Sequence, residues 1–77
     1  MNNERRGLIS VAIGQLNHAS DIVERVKEGE EAAKDSLMDY PQFEGKAMDM
    51  EMAVDALEQA ITSIDEAIEN LNEATNI

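Results

Sequence analysis

The chain has no cysteine and no tryptophan, and only one proline, one tyrosine, one phenylalanine and one histidine among its 77 residues. Without cysteine there is no thiol nucleophile, no disulfide and no thiolate metal site. Cations are scarce as well: six Lys and Arg stand against seventeen Asp and Glu, a formal net charge of −11. A surface of that sign repels phosphate, which argues against a direct binder of DNA, RNA or an anionic membrane. No apolar run is long enough for a membrane span or the centre of a signal peptide, so the expected compartment is the cytoplasm. The length allows one small domain, residues 1–77, with little room for a self-sufficient core.

What the sequence does contain is helical periodicity. In the first half Ile9, Ala12, Leu16, Ala19, Val23, Val26, Ala33, Leu37 and Tyr40 recur at alternating steps of three and four, interrupted only by Glu30. Leu8, Ile13 and Ile22 widen this stripe into a face suited to packing in a bundle. Helix formers dominate and no proline precedes position 41, which predicts one helix over about residues 3–38. Gly29, flanked by Glu28, Glu30 and Glu31, offers a three-helix alternative. A lone glycine costs only about 1 kcal/mol relative to alanine, which favours a continuous helix.

The second half repeats the rhythm without a gap through Phe43, Ala47, Met50, Val54, Leu57, Ile61, Ile64, Ile68, Leu71 and Thr75. It predicts a helix over about residues 46–75. Beside it runs a column of alanines seven apart, Ala53, Ala60, Ala67 and Ala74, a seam that lets another backbone approach closely. Between the halves, Tyr40-Pro41 and Gly45 mark a turn over about residues 39–45. A connection this short makes the helices antiparallel neighbours. The expected fold is all-α, a coiled-coil-like two-helix hairpin. Two helices meeting along one line leave apolar surface wet, so the hairpin is expected to assemble into a dimeric four-helix bundle or a higher oligomer.

Catalytic signals are missing. His18, the sole histidine, lies off the main stripe with Asp21 three residues on, and no nucleophile elbow, P-loop, HExxH or dinucleotide fingerprint occurs. Asp49, Glu51 and Asp55 only loosely resemble a calcium loop, because Val54 continues a helical repeat where the loop needs glycine. A di-iron bundle site needs Glu-x-x-His, and Gln15 stands three before His18. No enzyme, metal or cofactor is expected.

Two surfaces remain as binding candidates. Asp49, Asp55, Glu58, Asp65, Glu66, Glu69 and Glu73 make the polar side of the second helix almost purely acidic, suited to a protein with a basic surface. Met38, Tyr40, Phe43, Met48 and Met52 gather soft apolar surface around the turn. The cations Arg5, Arg6, Arg25 and Lys27 fall in the first helix. Arg5 and Arg6 are expected either to meet Glu69, Glu73 and the C-terminal end of the second helix or to hold an anionic nucleotide between subunits.

The Arg5-Arg6 pair, the Tyr40-Pro41 turn and the acidic, alanine-rich runs from Ala53 to Ile61 and from Ile64 to Leu71 resemble small acidic helical proteins carried by phages and prophages. That resemblance implies an accessory protein acting in the host cytosol, with counter-defence inhibitors prominent among products of this size. It supplies no functional residues. The function expected is non-enzymatic: blocking or sequestering a host macromolecule through the acidic surface. The alternatives are an oligomeric sponge for an anionic nucleotide signal and a purely structural self-association module.

Overall fold

The computed structural model describes residues 1–77. Helix α1 spans Asn3–Leu37, a single turn of 3-10 helix covers Pro41–Phe43, and helix α2 spans Glu44–Thr75. The two long helices lie against each other as a hairpin 59 Å long and 15 by 11 Å across, with no strand. α1 starts where Asn2, extended at φ −82° and ψ 169°, accepts the Arg5 N–H on Oδ1 at 2.8 Å. That bond satisfies one of the unpaired donors of a first helical turn. α1 ends ahead of Pro41, and Tyr40 takes the extended conformation forced on a residue before proline. The Tyr40 N–H donates to Leu37 O and the Phe43 N–H to Tyr40 O, so the reversal keeps its backbone bonded. Edge-on packing of the Tyr40 and Phe43 rings, centroids 6.2 Å apart, completes it.

α1 runs through Gly29 without a break, because the helical residues around it outweigh the propensity cost of one glycine. α2 begins at Glu44, between Pro41 and Lys46 as expected, since proline is compatible with a helical first turn and lets winding begin close behind it.

Most of the expected α1 stripe lies at the contact: Ile9, Ala12, Leu16, Ala19, Val23, Ala33 and Leu37 are half-buried. Half-buried beside them are Ile13, Ser20, Glu24, Lys27, Glu30, Glu31 and Lys34, so the contact strip is wider on that side than the expected stripe. Val26 leaves the seam and is 53% exposed, and Tyr40 is 52% exposed. The cause lies in side-chain size. Turning α1 toward Ala12, Ala19, Val26 and Ala33 would centre three methyl groups on the seam and move Ile13 outward. The observed phase keeps Ile13, Lys27 and Lys34 half-buried, and the Lys27 ammonium reaches carboxylates at the edge of the contact. α2 follows its expected line: Ala47, Met50, Leu57, Ile61, Ile64, Ile68, Leu71 and Thr75 are half-buried, and Val54, 6% exposed, is the one buried residue of the chain. Phe43, expected to open that line, is 40% exposed because it belongs to the turn.

A Cβ added at Gly14 or Gly29 meets no atom within 4 Å. Alanine there removes backbone freedom from the unfolded chain at no steric cost. Gly14→Ala and Gly29→Ala are each expected to raise unfolding free energy by about 0.5–1 kcal/mol, measured by urea titration at fixed chain concentration. A loss of stability at position 29 would mean that the glycine serves a bend.

Candidate functional site

Residues seven apart on a helix keep nearly the same heading, so the side chains flanking the seam sort into columns. Lys27 fixes which columns share a face. Its Nζ lies 3.3 Å from Glu24 Oε1, 3.8 Å from Glu31 Oε1 and 3.8 Å from Glu58 Oε1, the last reached across the interface. The column of Glu24 and Glu31 on α1 and the column of Glu51, Glu58 and Asp65 on α2 therefore border the seam on one face. The next columns outward carry Asp21, Glu28 and Asp35 on α1 and Asp55 and Glu69 on α2, with Glu66 and Glu73 at the outer edge of α2. This is a broad acidic face built from both helices.

Six of the seven acids singled out on α2 lie on it: Asp55, Glu58, Asp65, Glu66, Glu69 and Glu73. Asp49 sits about a quarter-turn away, toward the opposite face. Periodicity within one helix missed the contribution of α1, because its acids become neighbours of the α2 acids only once the seam phase is known. The signal was present in the spacing of Asp21, Glu24, Glu28, Glu31 and Asp35, which step by three and four.

The opposite face has no charge over most of its length. On α1 it runs through Leu8, Ala12, Gln15, Ala19, Ile22, Val26, Gly29, Ala33 and Ser36. On α2 it runs through Ala53, Ala56, Ala60, Ser63, Ala67, Asn70 and Ala74. The alanine column thus lies here; Ala53, Ala67 and Ala74 are half-buried at the seam edge and Ala60 is exposed. The bulkier members Leu8, Ile22 and Val26 are exposed at 64%, 47% and 53%.

Near the turn, an open groove of about 480 Å³ is lined by Lys34, Leu37, Met38, Tyr40, Pro41, Glu44, Ala47, Met48 and Glu51. Met38, Tyr40 and Met48 therefore share a surface, while Phe43 and Met52 do not line it. Both are exposed, with Met52 standing off the seam on the outer side of α2.

The cations do not converge. Every ion pair of the structure is made by Lys27. The pairing of Arg5 and Arg6 with Glu69 and Glu73 does not form, for a reason of length. Lys27 and Glu58 lie side by side, and counting from them places Arg6 level with a position beyond Ile77, past the last turn of α2. Arg25 lies roughly 30 Å along α1 from Arg5 at about 1.5 Å per residue. Glu30 sits half-buried at the seam without an ion pair. His18 and Asp21 are exposed and take part in no side-chain hydrogen bond or ion pair. No group of three or more His, Asp or Glu side chains is placed to hold a metal ion.

Compared with models of protein families, with curated proteins and with solved structures, the chain has no match.

Hydrogen bonding to Glu24 raises the Lys27 ammonium above its ordinary 10.5; partial burial opposes this, and the charges of Glu24, Glu31 and Glu58 add to the rise. A raised folded-state value means that the ammonium stabilises the fold below pH 10.5 and that this contribution is lost as pH climbs through the folded-state value. Thermal midpoints of the wild type are therefore expected to fall through that window more than those of Lys27→Met, which keeps the seam stem and drops the charge. Lys27→Glu, which adds a fourth carboxylate, is expected to lower the midpoint at neutral pH, with partial recovery in salt. Identical alkaline profiles for wild type and Lys27→Met would remove the role given to the ammonium.

Proposed function

We propose that the chain is a non-enzymatic binding protein that occupies a basic surface on a macromolecule, working as a dimeric four-helix bundle or higher oligomer. The observation that carries this reading is the sorting of charge: five acids of α1 and eight of α2, counting Glu44 and Glu51, face one side of the hairpin, and Lys27 with Glu24, Glu31 and Glu58 is the only ion-paired group there. Carboxylates repeating along a rigid rod of 59 Å present a field that steers a cationic surface before contact and matches spaced Lys and Arg side chains on docking. A basic surface of that kind is commonly one that holds nucleic acid, so the rod would compete with phosphate. The resemblance to small acidic proteins of phages and prophages favours reading such a competitor as an inhibitor of a host defence component. A nucleotide sponge has less in its favour, because Lys27 is engaged by three carboxylates and Arg5, Arg6 and Arg25 are spread along α1.

The test is capture of partners by the immobilised chain from a bacterial lysate, at low salt and at about 0.5 M, where screening shortens to a few ångströms. Basic proteins are expected in the low-salt eluate and absent at high salt. Reversing Asp55, Glu58, Asp65 and Glu69 to lysine, all exposed positions, is expected to reduce their capture at least tenfold. Retention of the same proteins by the reversed variant would overturn the reading.

A further inference from the structure

We infer that the uncharged face of the hairpin is the surface on which a second copy of this chain packs. This rests on the self-association proposed above and adds the face that performs it. The first ground is area. A compact monomer of 8.5 kDa exposes about 4,650 Å², whereas the hairpin exposes 5662 Å². The excess, about 1,000 Å², matches the roughly 800 Å² that each partner contributes to a stable interface. The second ground is charge. In a chain of net charge −11 any contact between copies that includes the acidic face is repulsive, and the face carrying Ile22, Val26, Ala56 and Ala60 is the extended surface where two copies meet without opposing like charges. The third is shape. Leu8, Ile22 and Val26 stand beside a flat column of alanines, so the face offers both projections and the shallow floor that receives them. The polar members Gln15, Ser63 and Asn70 are neutral and carry their own donors and acceptors, which lets them pair across the contact.

The two surfaces of the protein then respond to salt in opposite directions. Binding of a basic partner weakens as salt rises, while pairing of two acidic chains through a neutral face strengthens, because only the repulsion between their outer charges is screened.

Sedimentation equilibrium tests both the association and the face. The wild type is expected at about 17 kDa, twice the chain mass, with a dimer dissociation constant that falls as salt rises from about 50 to 500 mM. Ala60→Glu and Ile22→Glu place a carboxylate at positions already exposed in the single hairpin, and each is expected to weaken dimerisation at least tenfold. Thr62→Glu adds the same charge on the acidic face and is expected to leave the dimer in place. Should the glutamate variants unfold instead of dissociating, circular dichroism against chain concentration supplies the readout: their helix content should recover at high concentration, and that of Thr62→Glu should not need to. A folded wild-type chain of 8.5 kDa at tens of micromolar would overturn the self-association itself. A dimer that survives Ala60→Glu and Ile22→Glu would leave self-association standing and overturn the face.

Discussion

Two rods can touch only along a line, and the geometry of that line governs the rest of this molecule. Helices about 10 Å across share one strip of contact, so each side chain on the strip is covered from one side and open from the other. Val54 alone drops below a tenth of its free exposure, while leucines and isoleucines of the same seam stay half wet. The hydrophobic gain of each is correspondingly partial, and the helices depend for the remainder on their own backbone bonds and on whatever covers the flanks. A sequence under that constraint cannot specify itself by a deep core. It specifies itself by where it refuses to place charge.

That refusal explains the treatment of Lys27. A cation in the middle of a seam is costly if its ammonium is buried, yet the column that Lys27 occupies lies at the border of the acidic face, within reach of Glu24, Glu31 and Glu58. The stem covers apolar surface and the head emerges among carboxylates that would otherwise repel one another across the two helices. The individual pairs are long, at 3.3 to 3.8 Å, and partly solvated, so their value lies less in raw attraction than in fixing phase. With Lys27 in place, the alanine column of α2 and the Leu8–Val26 stripe of α1 are committed to the other side.

Element limits were legible in the sequence because they rest on local chemistry: a proline that stops one helix and opens the turn into the next, and an unbroken three-four repeat from Ala47 to Thr75. Most of the α1 stripe was legible too, but the exposure of Val26 and the half-burial of Lys27 and Lys34 were not. Adjacent columns, Ala12-Ala19-Val26-Ala33 and Ile13-Ser20-Lys27-Lys34, fit the repeat equally well, and apolar counting favours the first. The choice is made by volume and by amphipathic stems, which a binary reading of apolar and polar residues discards. The candidate surfaces inherit the same limit. Acids on α2 could be read as one side of a helix, but their union with Asp21, Glu28 and Asp35 needs the interhelical register, as does the isolation of Asp49. Pairing of Arg5 and Arg6 with the C-terminal end of α2 requires flush helix ends, and the overhang of α1 removes it.

Charge segregation also bears on how far assembly of such a hairpin proceeds. Each copy has one neutral face and one acidic face, so a face-to-face pair would consume the longest surface on which like-charged copies meet without repulsion. A third copy approaching the acidic face meets carboxylates, and at a screening length of about 8 Å in physiological salt those charges still act at contact. An interface that is the same patch on both subunits closes on itself, whereas two different patches that matched each other would propagate into a fibre. On the proposed pairing, the distribution of seventeen acids, almost all kept off one side of the rod, would limit association and leave the outward surface open.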